Sequence, residues 1–186
     1  AGKDYQSIFG IIVGTGFGGA LSYKKEIIEG ANQIAGDWGH QPLPYPTKEE
    51  IETKINCPSK NCGRPLCAEQ FMSGIGFKDV FNQKHNSNFS SEEIVKLDLD
   101  GDPRANLELS LYEDRMARLM AVMIGIFDPD AIVLGGGMSN TDRFYENIPP
   151  LIPRYTFSNR VITKVIKNFH GDSSGVRGAA WLWNNV

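Results

Sequence analysis

The sequence predicts a single domain of mixed α/β structure. Residues 8–13 and 131–134 are short apolar runs rich in β-branched side chains, and a cluster of glycines follows each run. This pattern is typical of a strand that ends in a tight turn. Between the two runs, residues 105–126 carry apolar side chains at steps of three and four, which predicts one long helix. No internal repeat or low-complexity linker divides the 186 residues, so one domain is the simpler prediction.

Composition and charge narrow the class of protein. Hydrophobic residues make up 41% and charged residues 22%, which is ordinary for a globular domain. The net charge is −3 and the basic residues are scattered, so we expect no nucleic-acid partner. No apolar run approaches about 18 residues, and residues 1–10 lack the pattern of a signal peptide. We therefore expect no membrane span and a reducing, cytoplasmic location, where clustered cysteines hold metal more often than they form disulfides.

The first predicted elements form a hairpin. A strand at 8–13 leads through a glycine turn at 14–19 into a second strand at 20–23. Residues 29–46 are rich in Gly, Pro and Asn and predict an ordered loop region. After the cysteine segment, a helix is expected from about Ala68.

The middle of the chain is predicted to be helical. Ser90 and Glu93 form a capping-box pattern that opens a short helix ending near residues 100–103. The long helix follows, and its other faces carry charged residues that include Arg115 and Arg118. A core helix is favoured over a coiled coil, because the helix carries a single apolar stripe and the chain contains both helices and strands. The stripe comprises Ala105, Leu109, Tyr112, Met116, Leu119, Met123 and Ile126.

The last third of the chain is predicted to alternate between strands and helices. Asp128 and Asp130 are interpreted as helix-stop residues before the strand at 131–134. A helix over 142–155, interrupted by prolines, and a strand over 161–166 follow. The apolar stretch 175–183 predicts a terminal helix.

The two glycine clusters, at 14–19 and 135–137, are candidate anion sites. Successive backbone N–H groups in such turns form a concave surface that suits phosphate. Neither cluster fits a dinucleotide fingerprint or a Walker A loop, because the glycine spacing differs and no Lys-Ser/Thr pair closes the turn. A tight turn with no ligand is the alternative at both places.

The three cysteines of the chain lie within one short segment. Cys57, Cys62 and Cys67 are evenly spaced, and His40 lies 17 residues before the first of them. Three thiolates and one imidazole form a complete tetrahedral zinc site. The alternative is three buried or free cysteines. Asp37 and Glu69 flank this segment and are suited to hydrogen-bonding sugar hydroxyls, with solvation at the surface as their alternative role.

Four segments in this order resemble the ROK family (repressors, open reading frames, kinases). They are GTGFGG, GDWGH, a cysteine cluster that ends in CAE, and IVLGGGMSN together with GDSSGVRGAAWLW. The resemblance covers essentially the whole chain, and within the family it is greatest to the fructokinase/mannokinase branch. It implies an actin-like, ribonuclease-H-like ATPase fold, of which residues 1–186 form only the C-terminal lobe. That lobe is expected to have a mixed sheet, flanking helices and a zinc-binding loop at about 40–67.

The resemblance also implies the roles of the glycine clusters. The turn at 14–19 matches the hairpin that contacts ATP phosphates, through Gly14, Thr15, Gly16, Gly18 and Gly19. The second cluster matches the loop on the adenosine side, through Gly135, Gly136 and Gly137. ATP and Mg²⁺ are the implied cofactors. The family's D-x-G-G-T and D-N-D-A-N segments do not occur in this sequence. Since the general base of the family lies in the latter segment, the resemblance assigns no catalytic base here.

The sugar and zinc residues follow from the same resemblance. Asp37 and His40 match the E-x-G-H motif, and Glu69 matches a glutamate that reaches a sugar hydroxyl. A structural Zn²⁺ is implied on His40, Cys57, Cys62 and Cys67. Three positions depart from the family pattern. Asp37 replaces glutamate, Lys60 stands where the first cysteine is expected, and Leu66 replaces a glycine. Cys62 and Cys67 therefore fit the pattern better than Cys57 does.

The resemblance implies one lobe of an ATP-dependent hexose kinase, fructokinase-like and inactive as a separate lobe. A homodimer is expected, and the apolar stretch 175–183 predicts self-association. The alternatives are the sugar-sensing lobe of a ROK-type transcriptional repressor and a binding or assembly module without catalytic activity.

Overall fold

The centre of the molecule is a five-stranded mixed sheet. The structure is a computed structural model that describes residues 1–53, 55–158 and 160–171. Within these residues the strand order is β3-β2-β1-β4-β5. β1 pairs antiparallel with β2 and parallel with β4, while β2–β3 is antiparallel and β4–β5 is parallel. The strands are β1 (Ser7–Val13), β2 (Phe17–Tyr23), β3 (Glu26–Ile28), β4 (Ala131–Gly135) and β5 (Lys164–Lys167).

The parallel pairs require crossover connections, and the helices provide them. The described α-helices are α1 (Lys48–Glu52), α2 (Ala68–Met72), α3 (Gly74–His85), α4 (Ser91–Leu99), α5 (Pro103–Phe127) and α6 (Arg143–Leu151). β1 alternates between buried and more exposed residues, and its buried side chains join those of β4 and α5 in one core. None of the described helices is long and apolar enough to cross a membrane.

Helix α5 confirms the predicted stripe with one exception. Asp102 caps its start by accepting hydrogen bonds from Arg104 N and Ala105 N, and Pro103 occupies the first turn. Asp128 ends the helix in a left-handed conformation, with φ of 48°. Six of the seven predicted stripe residues are buried, but Ile126 is 78% exposed, because in the last turn Phe127 packs against the core instead.

Asp130 ties the sheet together. Its carboxylate accepts hydrogen bonds from Gln6 N at 3.0 Å and Ser7 N at 2.8 Å, which joins the start of β4 to the start of β1. These hydrogen bonds also lower the pKa of Asp130. Asp130 therefore does more than follow the end of α5. Its carboxylate also fixes the register of β1 against β4.

Several local elements differ from the sequence prediction. Two short elements that the sequence did not predict are β3 and α1. The helix expected from Ala68 is two helices, because Ser73 is extended between α2 and α3, with ψ of 154°. The capping box of Ser90 and Glu93 is confirmed at the start of α4. β5 begins three residues later than predicted, and the predicted terminal helix lies outside the described residues.

Candidate functional site

Both glycine clusters lie at one edge of the sheet. Gly14, Thr15 and Gly16 turn the chain between β1 and β2, and Gly14 N donates to Gly16 O at 3.0 Å. Gly135 ends β4 opposite Ile12 of β1, so the parallel pairing brings the second cluster to the same edge. A Cβ on Gly136, whose φ is +83°, would lie 2.6 Å from Val13 O. Only glycine allows this close approach of the two loops.

A cavity of about 480 Å³ opens between the two glycine loops. We call it the glycine cavity. Its other walls are the first turns of α3 and α4, which the sequence did not single out because their residues match no binding motif. Gly74 N of α3 donates to Gly14 O at 2.7 Å and so fixes this helix against the hairpin. The lining residues include Gly14, Thr15, Gly74, Lys78, Ser91, Glu92, Gly136 and Gly137.

The other glycines of the two clusters lie beside the cavity. Gly18 and Gly19 belong to β2, where they pair with Ile12 and Ile11. Gly16 faces a different group, since a Cβ there would lie 3.8 Å from Oε2 of Glu69. The hairpin turn therefore borders the glycine cavity on one side and Glu69 on the other.

His40 and Glu69 lie together at this edge. Nε2 of His40 is 3.6 Å from Oε2 of Glu69, and the two side chains are 31% and 12% exposed. Glu69 N donates to Gly39 O at 2.7 Å, which joins α2 to the loop of His40. Asp37 is exposed, and its carboxylate makes no hydrogen bond or ion pair with any residue that the structure describes. The structure thus pairs two of the three predicted sugar residues.

Trp38 holds the loop that carries these side chains. Its ring stacks on Phe17 with centroids 5.0 Å apart and meets the edge of Phe9 at 4.8 Å. A Cβ on Gly39 would lie 1.9 Å from Phe17 O, so the backbone here is packed directly on β2. Because of this packing, the position of His40 is tied to the sheet.

The four predicted metal ligands converge. Ligand atoms of His40, Cys57, Cys62 and Cys67 all lie within 4.8 Å of one another. Sγ of Cys57 is 3.8 Å from Nδ1 of His40, so Cys57 joins the cluster despite its unusual spacing. Tetrahedral zinc with arms of about 2.3 Å separates its ligand atoms by about 3.8 Å. The donor set and the spacing both fit Zn²⁺.

The two nitrogens of His40 face different partners. Nδ1 is on the side of Cys57, and Nε2 is on the side of Glu69. This arrangement suits a histidine that binds a metal through one nitrogen while the other is oriented by a carboxylate. Cys67 is the residue that caps the start of α2, so the same cluster adjoins the helix that carries Glu69.

The electrostatics of the thiols favour a cation at their centre. Burial raises the pKa of the Cys67 thiol, and neighbouring Cys57 raises it further. Burial likewise raises the pKa of Cys57. A hydrogen bond from the backbone of Arg64 lowers the pKa of Cys62. Three thiolates this close repel one another, and a divalent cation removes that repulsion.

A buried ionic cluster anchors the loop between His40 and Cys57. Glu50 of α1 is 3% exposed and binds Nη2 of Arg118 and Nε of Arg115, each at 2.7 Å. Nη1 of Arg118 also donates to Pro44 O and Tyr45 O. Burial alone would raise the pKa of Glu50, but hydrogen bonds from Arg118, the Thr47 backbone and Arg115 lower it to about 2. Both arginines belong to the faces of α5 that the sequence suggested lie off the core.

Comparison with known proteins identifies the family. A family model described as the ROK family matches residues 1–186. An N-acetyl-D-glucosamine kinase of Vibrio atlanticus (strain LGP32) is 35% identical over 180 residues, which are 97% of this chain and 60% of that relative. The chain thus spans about 60% of the length of this curated relative.

Solved structures show the same fold. A ROK family glucokinase from Streptomyces griseus, in complex with glucose and AMPPNP, has a TM-score of 0.82 and 22% identity over 98% of this chain and 62% of that one. A ROK family transcriptional regulator, a homologue of the E. coli MLC protein, has a TM-score of 0.71 and 20% identity over 89% of this chain and 42% of that one. These matches confirm the predicted actin-like α/β fold class, with its mixed sheet and flanking helices. Because the family model covers every residue, the chain belongs to the ROK family.

Proposed function

We propose that residues 1–186 form the C-terminal lobe of an ATP-dependent ROK-type hexose kinase. The observation that carries this proposal is the shared edge of the sheet, where the hairpin turn lies between the glycine cavity and Glu69. A kinase must hold a phosphate donor and a hydroxyl acceptor next to each other. The hairpin turn is where the two would meet.

The nucleotide is proposed to bind along the glycine cavity. Backbone N–H groups of the turn at Gly14, Thr15 and Gly16 would hold ATP phosphates, with Gly18 and Gly19 supporting the hairpin from β2. The loop of Gly135, Gly136 and Gly137 would lie on the adenosine side. Mg²⁺ bound with the phosphates would neutralise the charge that develops during transfer, so the chain itself contributes positioning and electrostatics.

The sugar is proposed to bind at His40 and Glu69. Glu69 would accept a hydrogen bond from a hydroxyl, and Asp37, which has no partner among the described residues, would provide a second acceptor. Zn²⁺ on His40 and the three cysteines would supply structural support, and its chemistry is limited to holding these side chains together. In this role the His40 ring keeps a fixed orientation beside Glu69.

The acceptor is proposed to be a hexose or an N-acetylhexosamine. The relative named above is a kinase of N-acetyl-D-glucosamine, and the S. griseus structure contains glucose. These names support an aldose or its N-acetylamino derivative, and they lend no support to the fructokinase/mannokinase branch that the sequence suggested. Fructose therefore becomes the comparison substrate.

Catalytic activity, location and assembly are proposed for the whole protein. A second lobe would provide the general base and the other half of the phosphate site, so the 186-residue chain alone is expected to be inactive. ATP as donor suits the cytoplasm, and a homodimer is the proposed assembly.

The test is a coupled assay of ADP release by the whole protein. N-acetyl-D-glucosamine, glucose and fructose would be compared, with Glu69→Gln expected to lower kcat/KM for the preferred sugar by about a hundredfold. Glu26→Gln, an exposed glutamate on β3, is the matched control and is expected to have no effect. Turnover that does not depend on Glu69 would contradict the proposed sugar site.

A sugar-sensing lobe of a transcriptional repressor is the second candidate. The likeness to the ROK family regulator favours it, although that likeness concerns the fold alone. The two functions differ in the lobe that precedes this one. A D-x-G-G-T hairpin there would support the kinase, and a helix-turn-helix that binds operator DNA would support the repressor.

A further inference from the structure

A second cavity is lined by the cysteine segment. It has a volume of about 440 Å³, and its walls come from the end of α1 and from residues 55–66. None of the proposed nucleotide or sugar residues lines it. Its volume is that of a typical small-molecule site. Its connection to the metal cluster is direct, since Cys57 forms part of its wall and Nη1 of Arg64 donates to His40 O at 3.1 Å.

The charge of this cavity is positive. Lys60 and Arg64 line it, and no aspartate or glutamate is among the described residues of its wall. Neither cation has an ion pair with a carboxylate among the residues that the structure describes. A guanidinium and an ammonium group that lack carboxylate partners are suited to a phosphate group, which accepts several hydrogen bonds at once.

Gln70 is a further polar residue of this cavity. Gln70 is only 2% exposed, yet no described residue hydrogen-bonds to its side-chain amide. The same side chain belongs to the cavity wall. An amide in a largely buried residue that lines a cavity and has no protein partner is free to hydrogen-bond a ligand there. A ligand with hydroxyl or carbonyl groups would provide that hydrogen bond.

The lining also includes apolar side chains. Among them are Ile51, Ile55 and Leu66, so the cavity offers contact to the carbon skeleton of a ligand as well as to its charge. Inorganic phosphate alone would use the two cations and leave Gln70 and these apolar side chains without contacts. The lining therefore favours a small organic molecule that carries a phosphate group.

We propose that this cavity is a binding site for a small hydroxylated phosphate monoester, of the sugar phosphate class. Lys60 and Arg64 bind the phosphate, and Gln70 binds a hydroxyl or carbonyl group of the body. Because Arg64 also holds the backbone of His40, an occupant contacts the loop that carries the metal cluster. The site is separate from the glycine cavity and does not depend on whether the chain is part of a kinase.

The test is calorimetric titration of the metal-loaded 186-residue chain with glucose 6-phosphate. Saturating AMPPNP is present so that the glycine cavity is occupied. Lys60→Glu is expected to weaken binding by at least about tenfold, since it replaces a charge-assisted hydrogen bond by repulsion. Gln70→Met, which keeps the side-chain volume, is expected to weaken it by about fivefold. Lys164→Ala, an exposed lysine on β5, is the matched control and leaves the affinity unchanged.

Metal content is measured for every variant, because a loss of zinc would disturb the wall itself. Lys60→Glu with full zinc and weakened binding supports the site. Binding of glucose 6-phosphate that is unchanged in Lys60→Glu and Gln70→Met overturns it, as does the absence of binding in the unmodified chain. Inorganic phosphate that binds as tightly as glucose 6-phosphate overturns the assignment of an organic phosphate.

Discussion

The glycine cavity is walled by strand ends and first turns of helices, whereas the cysteine segment beside it is held by side chains. The cavity's loops follow β1 and β4, whose pairing continues into the buried core. Among the described residues from His40 to Cys67, the only helix is the five-residue α1. The fixed points of this loop include the four converging ligands, the buried Glu50 and the buried Leu43, whose N donates to Leu66 O at 2.8 Å. One half of the site is thus built on the sheet, and the other relies more on polar side chains.

The largest difference between the two regions should follow from loss of the metal. Cys62→Ser is expected to reduce zinc from one per chain to none, because the remaining three donors leave the tetrahedral set incomplete. Residues 41–66 would then become accessible to proteases while the sheet stays folded. Zinc analysis and limited proteolysis measure this, with Ser59→Ala as a nearby control that removes no ligand. One zinc per chain in Cys62→Ser would contradict the assignment.

The next effect concerns the buried ion pair. Arg118→Met leaves the Glu50 carboxylate with one cation fewer in a buried site, so the free energy of unfolding should fall by about 3–5 kcal/mol. Arg104→Met, on the same helix, removes an ion pair whose arginine is 47% exposed and should cost less than about 1 kcal/mol. Urea denaturation of the two variants measures the contrast. Equal losses of unfolding free energy in the two variants would contradict the expectation that burial determines how much an ion pair contributes to stability.

Acid should weaken the same anchor. The pKa of Glu50 is lowered to about 2, so its stabilising contribution is fully present above its ordinary pKa of 4.5 and is lost as the pH falls from there toward about 2. The loss should reach at most about 3 kcal/mol. Unfolding free energies of the unmodified chain and of Glu50→Gln, measured from pH 6 to pH 3 in the same metal state, give the difference. A constant difference over this range would contradict the shift.

A smaller effect is expected at the helix starts that wall the glycine cavity. Ser90 Oγ accepts a hydrogen bond from Glu93 N at 3.1 Å, so Ser90→Ala should lower the free energy of unfolding by about 1 kcal/mol. Ser91→Ala, one residue later and outside the cap position, is the matched control. Thermal denaturation of both variants measures the difference. An equal loss of stability in Ser91→Ala would show that the effect does not come from the N-cap hydrogen bond.

The smallest effect tests whether the two regions are independent. Removing zinc with a chelator should change the affinity of the chain for AMPPNP by no more than about twofold, since separate sites add with little coupling. Calorimetric titration before and after chelation measures it. A tenfold loss would show that α2, which begins at Cys67 and leads into α3, transmits the state of the metal to the cavity.

Local signals in the sequence predicted the elements that depend on near neighbours. The capping box at Ser90, the stripe of α5 and the strands β1, β2 and β4 are all set by residues a few positions apart. His40 was also found by proximity, as the histidine nearest to the cysteines. These features need no knowledge of the rest of the chain.

The interactions that the sequence did not predict join distant residues. Glu50 and Arg118 are 68 positions apart, and an arginine beside an apolar stripe is ordinarily exposed. The break at Ser73 depends on hydrogen bonds of its own side chain, to Glu69 O and from Gly76 N, which no periodicity indicates. The walls of the glycine cavity on α3 and α4 meet the hairpin only after the sheet has formed, so their role was invisible in the linear pattern.

The pairing of β1 with β4 also determines how the chain can fold during synthesis. The hairpin of β1 and β2 is local, but the contact of Ser7 with Asp130 spans 123 positions. A ribosome adds about 5–20 residues per second, so β1 waits on the order of ten seconds for its parallel partner. Throughout that time the buried side chains Phe9, Ile11 and Val13 are unprotected. During this delay the nascent hairpin exposes apolar surface that favours aggregation, which is the kind of surface that chaperones cover.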